Sequence, residues 1–374
     1  MSTILFYGPF VKRARDVESV MIALKEKGHH IISLNLNCDT EFSNFVASQG
    51  ISTHCHEIPG DGSILYLVKH VWAFIRFCRS NKVDFVFSHL DTTNFIASVA
   101  QYFVKARVFL CRHHVNEAAL YKYSHSRTYV ATNALVREMI VVSERARTYM
   151  HEIEGIALQR IRHINLGYNF RLYPLPSLNA AASIKRSFSG KIVMLTIGRL
   201  TQYKRPDVSV EIAQRLKQRG IDAVLLLLGD GPMRQQLEDE VSKNGLSDCV
   251  FFKGHVPNVL DFLEAADIVL HPSLLESSCV VIKEAGLLKK PVLLCKDVGD
   301  FNEYMIDGTN GFVADAENFA NTAIEIISHK FWQNRPDIGE NLHNTITRRF
   351  DIDNVLPQYL DLLSSNVRTA TYNN

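Results

Sequence analysis

Two carboxylates, Glu276 and Glu284, stand eight residues apart in the stretch LLESSCVVIKEAG (274–286). With one in a loop and the other on the helix behind it, such a pair can accept hydrogen bonds from two separate sets of vicinal hydroxyls, while the helix N-terminus between them faces phosphates. Taken alone, the spacing equally describes a surface Glu276 and a salt-bridged Glu284. A cationic group lies upstream in GRLTQYK, where Gly198 frees the backbone and Arg199 and Lys204 flank a turn into a helix. Two cations and a helix dipole suit a multiply charged anion such as a diphosphate, although a solvated basic turn has the same composition. In FKGHV, Gly254 and His255 offer bare backbone against which a base or ribose can lie. In FLCRHHVN, His113 and His114 close another strand with two imidazoles, groups that titrate near neutrality.

The elements that must position these residues alternate in type. In the second half KIVMLTI (191–197), AVLLLL (223–228), CVFF (249–252), DIVLH (267–271) and PVLLC (291–295) are short apolar runs, as expected of strands buried on both faces. Helices fall between them; one opens at Pro206 and stops at Gly220. Ser277 or Ser278 is the expected cap of the helix that carries Glu284 about two turns in. The first half repeats the rhythm in TILFY, HIISLNL, VDFVFSH, RVFLC and MIVVS. The pattern predicts an α/β protein of doubly wound parallel sheets, and 374 residues exceed what one core supports. Periodicity breaks in NFRLYPLPSLNAAASIKRSFSG, which predicts a first domain over 1–175, a linker over 176–190, a second domain over 191–350 and a closing helix and tail over 351–374.

Composition excludes several classes. With 47% hydrophobic and 21% charged residues the chain reads as soluble and globular, and no run approaches the ~18–20 apolar residues of a membrane span. The opening MSTILFYGPFVKRAR puts its apolar run before its charges, the reverse of a signal peptide. Seven cysteines show neither a C-x-x-C pair nor metal-ligand spacing, so a reducing cytosol is expected. Net charge is +2, but residues 1–180 carry 20 Lys+Arg against 14 Asp+Glu, which suits an anionic partner as well as it suits ordinary surface scatter. No G-x-G-x-x-G opens the chain and no P-loop occurs. The acidic triplet at Asp351 and Asp353 reads as a helix cap, and His54-Cys55-His56 lacks a second ligand pair.

In order, GRLTQYKRPD, LLLLGDGPMRQQLE, VFFKGHV, ADIVLHPS, ESSCVVIKEAG and VGDFNEYMIDGTNGFV give the chain a resemblance to the nucleotide-binding domain of the retaining GT-B-fold glycosyltransferases of family 4 type. The likeness is strong over roughly 190–330 and looser at MIVVSERAR, RIRHINLGYNF and FDIDNVLPQYLDLL. The resemblance implies two Rossmann-like domains facing across a cleft, with a C-terminal helix crossing back to the first. It implies transfer of a sugar, with retention and without metal or cofactor, from a nucleotide-diphospho-sugar, UDP or GDP expected, to a glycan or lipid-linked acceptor in polysaccharide or glycolipid biosynthesis; nucleic acid is not an expected partner. An epimerase on the same fold and a non-catalytic relative are the alternatives.

By the same resemblance Arg199 and Lys204 neutralise the diphosphate, Glu284 takes the ribose hydroxyls and Glu276 those of the transferred sugar. The backbone of Ser278, Cys279, Val280 and Val281 contacts hexose and phosphate, with Gly198, Gly254 and His255 completing the nucleotide side. His113, in preference to His114, faces the sugar, and Gly8, Pro9 and Phe10 line the acceptor side. Two departures stand out: Ser277-Ser278-Cys279 where the family usually shows Gly-Phe-Gly, and Gly299-Asp300 where it often has two glycines. The helix within YLVKHVWAFIRFCRSNK (66–82) has a basic outer face, which suits a core helix or contact with an anionic membrane. The expected location is the cytoplasm, at the inner membrane face if that contact is made.

Overall fold

The apolar runs of each half pair in parallel, and each half builds its own sheet. The structure, a computed structural model, describes residues 1–57, 64–113 and 127–364. It divides into two compact units, Met1–Arg171 with Phe350–Asn374, and Leu172–Arg349.

The first unit is a seven-stranded sheet of β1 (Thr3–Gly8), β2 (His30–Asn35), β3 (Ser52–Cys55), β4 (Phe85–His89), β5 (Arg107–Arg112), β6 (Met139–Val141) and β7 (Ile161–His163). Their order is β3-β2-β1-β4-β5-β6-β7, so the chain reverses its direction of growth between β1 and β4. Phe6, Phe87 and Phe109 stack across the central strands with centroids 5.2 and 5.1 Å apart. Helix Ile352–Ser364 covers this face, burying Ile352, Val355, Leu356, Tyr359 and Leu362 in the same core. The strands ending at His89 and Arg112 bring their carboxyl ends beside the β1–β4 switch point, where ligands bind in such sheets.

The second unit is a six-stranded sheet of β8 (Ile192–Ile197), β9 (Ala223–Leu228), β10 (Val250–Gly254), β11 (Ile268–His271), β12 (Val292–Cys295) and β13 (Phe312–Ala314), in the order β10-β9-β8-β11-β12-β13. The five runs read from the sequence are β8 to β12. The side chains of β8, β9, β11 and β12 are almost all buried, because helices cover both faces, whereas in edge strand β10 only Val250 is buried.

Three expectations need correction. Residues 176–190 are not an irregular linker: helix Leu178–Ser187 forms there, with Ser177 Oγ accepting from the Ala180 amide at 3.3 Å. Three consecutive alanines favour the helix, Ala181 is buried, and Lys185 pairs with Asp267, so it packs as part of the second unit. The seven cysteines are not all free. The β2–β3 pairing sets Asn35 opposite Cys55, and the loop beyond β2 then brings Cys38 to Cys55, with a disulfide joining Cα atoms 5.4 Å apart. Strands β3, β7 and β13 were not among the runs expected as strands: each is only three or four residues long and lies at a sheet edge. Among the described residues no helix is long and apolar enough to cross a membrane.

Candidate active site

The βα turns of β8, β9 and β10 converge on one pocket of about 390 Å³ lined by Gly198, Arg199, Gly229, Asp230, Gly254 and His255 together with Ile197, Leu228, Val256 and Val259. The floor depends on a close backbone approach: a Cβ at Gly229, whose φ is +114°, would lie 2.0 Å from the carbonyl oxygen of Gly198. Arg199 is exposed at the rim and makes no ion pair among the described residues. The pocket is wide enough for a flat heterocycle and apolar along one wall, with an arginine free to meet an anion.

Behind Gly198 the side chain of Lys204 runs past the pocket wall; its Cδ is 3.9 Å from where a Gly198 Cβ would be. Its ammonium ends on Glu276 Oε1, which also receives His271 Nε2 at 2.8 Å. Glu276 is nine-tenths buried and His271 more so. Burial alone would raise the Glu276 carboxyl, but the hydrogen bond from His271 and the charges of His271 and Lys204 outweigh it and hold it at about 2. Burial works against the His271 imidazolium, yet Cys279 and Glu276 raise it to about 9. Lys204 is likewise pushed up despite its burial by Cys279 and Glu276. Both contacts fall on Oε1, and among the described residues Oε2 carries no hydrogen bond, so it can receive a hydroxyl.

His271, Glu276 and Cys279 bring three atoms of metal-ligand type within 4.8 Å of one another. The ammonium of Lys204 on Glu276 already supplies the positive charge there and opposes a second cation.

The helix behind Glu276 is Val280–Leu287, capped at Cys279 with no side chain bonded to its first amides. Neither Ser277 nor Ser278 is the cap expected from the sequence: Ser278 Oγ is turned away to Asp300 Oδ2 at 2.6 Å. The uncapped amides stay open to an anion. Glu284 is the fifth residue of this helix, a little over one turn in rather than two, and is buried. Val280 is exposed and Val281 half-buried at the helix start, while Cys279 is buried. The second unit thus gathers Gly198, Arg199, Gly254 and His255 at the pocket and joins Lys204 to Glu276 beside it.

In the first unit His113 Nε2 lies 3.0 Å from His89 Nδ1, and His113 Nδ1 lies 3.4 Å from Asp16 Oδ2. Burial lowers the pKa of both imidazoles, and Asp16 partly counters it at His113. Gly8 leads into this cluster. Phe10, expected to face an acceptor, is instead buried, stacked on Phe42 at 4.4 Å and leaning on His89 at 5.5 Å. Pro9 is held through its carbonyl by Asn37 at 3.0 Å. His114 lies outside the described residues.

Sequence reasoning missed Asp16, His89 and His271. His89 and His271 each end a strand at its carboxyl end, a position that marks ligand contact in these sheets and was available as a signal. Asp16 reaches His113 only through the packing of helix Arg15–Glu26.

Residues 180–344 match the family model for glycosyl transferases group 1. That match lies within the second unit. The chain is 26% identical over 181 residues to the alpha-D-kanosaminyltransferase of Streptomyces kanamyceticus (47% of this chain, 46% of that protein). It is 30% identical to the lipopolysaccharide core biosynthesis glycosyltransferase LpsE of Rhizobium meliloti (46% of this chain, 50% of that protein). The aligned region thus spans about half the length of these curated relatives. The whole fold matches HepE of Anabaena in complex with UDP-glucose, with TM-score 0.79 and 19% identity over 97% of this chain and 100% of that one. Sucrose-phosphate synthase of Thermosynechococcus elongatus matches with TM-score 0.78 and 18% identity over 97% and 98%. At those identities the likeness establishes architecture: two parallel-sheet α/β units of the GT-B fold. Gly198, Arg199, Gly229, Asp230, Gly254 and His255, which meet at the pocket of the second unit, lie in motifs that carried the resemblance.

Proposed function

We propose that this protein transfers a sugar from a nucleotide-diphospho-sugar to an acceptor hydroxyl with retention of configuration and without a metal. One observation carries the reading: Glu276, fixed as a carboxylate by Lys204 and His271, stands at the uncapped start of the helix that bears Glu284, next to a base-sized pocket rimmed by Arg199. Glu276 takes hydroxyls of the transferred sugar through Oε2, and Glu284 takes those of the ribose. The amides of Ser278 to Val281, with Arg199 and Lys204, receive the diphosphate. As the bond from the anomeric carbon to the phosphate oxygen breaks, its electron pair leaves with the diphosphate, where fixed cations and amides stabilise the growing charge. The acceptor oxygen bonds to the same face of the sugar and its proton passes to the departing phosphate oxygen.

That relatives are named for transferring kanosamine or building lipopolysaccharide supports a glycan or lipid-linked acceptor, and UDP-glucose in HepE supports UDP over GDP as the first donor to try. For the acceptor side we assign the Asp16–His113–His89 cluster. Helix Ile64–Ser80 exposes Leu65, Val68 and Trp72 beside Lys69, Arg76 and Arg79, a face that suits an anionic lipid surface.

The test is a thermal-shift and calorimetric panel of UDP, GDP, ADP and CMP with their sugar conjugates on wild type and Glu284→Ala, followed by transfer assays with excess chelator. Stabilisation by one nucleotide, lost in the variant, with turnover surviving chelation is the expected result. Strict metal dependence would remove the cation role of Lys204 and Arg199.

A further inference from the structure

Three consecutive residues beyond β12 each hold one part of the Glu276 region. Gly299, with φ +56°, lies flat against Glu276: a Cβ there would be 2.9 Å from the Glu276 Cβ and 3.1 Å from its carbonyl oxygen. Asp300 is buried and its Oδ2 accepts from Ser278 Oγ at 2.6 Å and from Lys283 Nζ at 2.8 Å. Phe301, fully buried, sets its ring edge-on to His271, with centroids 5.7 Å apart. Lys283, also fully buried, closes the arrangement by donating to Ser278 Oγ at 2.8 Å and to the Tyr304 hydroxyl at 3.2 Å.

Ser278 lies in one of the two stretches at which the chain departs from the pattern of its resemblance and Asp300 in the other, and here they are bonded to each other and to one lysine. A buried ion pair is a costly way to join two loops, and replacing one by apolar residues often stabilises a protein. Its directional bonds do what apolar contact cannot: they hold a loop in one place.

We propose that the Gly299-Asp300-Phe301 turn, locked by Lys283, is the seat that positions Glu276 and His271 for the transferred sugar. It rests on the donor-site reading above. Asp300 and Lys283 are positioning residues: they act through Ser278 and the Glu276 loop. The sugar, rather than the nucleotide, is therefore the part of the donor whose recognition depends on them.

The test uses the full chain with Lys283→Met and Asp300→Asn combined, which removes both charges and leaves neither one buried alone, and Tyr304→Phe, which removes one bond to Lys283, as a milder variant. Three readouts are taken on protein shown folded by circular dichroism: UDP affinity, the gain in affinity from UDP to UDP-glucose, and the NMR titration midpoint of the His271 imidazole. UDP affinity should stay within about twofold, the gain from the sugar should vanish, and transfer should fall about tenfold or more, as for a group displaced by an ångström. The His271 midpoint should drop from about 9 toward 6.5 as Glu276 is released. A folded double variant with an unmoved His271 midpoint overturns the proposal, as does equal loss of UDP and UDP-glucose affinity. A wild type that turns over no nucleotide sugar, alongside a shifted midpoint in the variant, refutes the proposed function but keeps the seat.

Discussion

Glu276 draws its whole character from two neighbours. Replacing it with Gln keeps its shape but removes the charge that both Lys204 and His271 meet. Transfer should fall about a hundredfold or more with nucleotide affinity little changed, and a variant within a few-fold of wild type would remove Glu276 from the site. The pH dependence follows from the shifts. His271 sits above its ordinary 6.5, so its pairing stabilises fully below that value and is lost as pH rises through about 9. Glu276 sits below its ordinary 4.5, so its contribution is present above that value and lost only as pH falls through about 2. Stability and sugar binding should therefore decline on the alkaline side near pH 9, and Glu276→Gln should weaken that limb while the contribution of Cys279 remains. In the first unit, His113→Ala should lower transfer while leaving nucleotide affinity intact; coupled loss of both would contradict the acceptor assignment. Glu276, Arg199 and Lys204 were legible because their spacing sits beside local turns. His271 was not, since its role exists only where β11 ends next to the Glu276 loop.

The β8 to β10 turns behave as one object because glycine lets them touch. Gly229→Ala would force a Cβ onto the Gly198 carbonyl in a backbone conformation that also disfavours it. Nucleotide affinity should drop by about tenfold or more, whereas the same change at Gly245, which has open space around it, should leave binding unchanged. At the other end of the sheet in the first unit, the Cys38–Cys55 bond ties the loop after β2 to β3. Thiol titration of the denatured, unreduced protein should find five reactive groups among seven cysteines, and seven would show that pair reduced. Apolar runs announced the central strands because both their faces are buried. Edge strand β3, with Ser52 and Cys55 exposed, could not be seen that way. The helix Leu178–Ser187 was hidden by prolines upstream and by polar residues that read as a break.

At the scale of the molecule, the end of the chain belongs to the beginning. Tyr168 N donates to Phe350 O at 2.8 Å and Ile352 N to Tyr168 O at 2.9 Å, so the chain leaves and re-enters the first unit at one point. Leu356→Ala, in the returning helix, should cost about 2–4 kcal/mol by creating a cavity in the core that it shares with Phe87 and Phe109. Calorimetry should show a lowered transition for the first unit with nucleotide affinity unchanged. A melt in which the variant matches wild type would mean that the helix contributes nothing to that core.

Residue order alone determined the alternation of strand and helix, the location of the nucleotide-side motifs and the family likeness, because each depends on neighbours a few positions apart. Tertiary structure decided the rest. Which carboxylate is held charged, which serine bonds to which aspartate 22 residues on, and which cysteines pair all depend on the register of parallel strands and on burial. Local composition does not encode those quantities, since each is set by which distant segment fills the space beside a side chain.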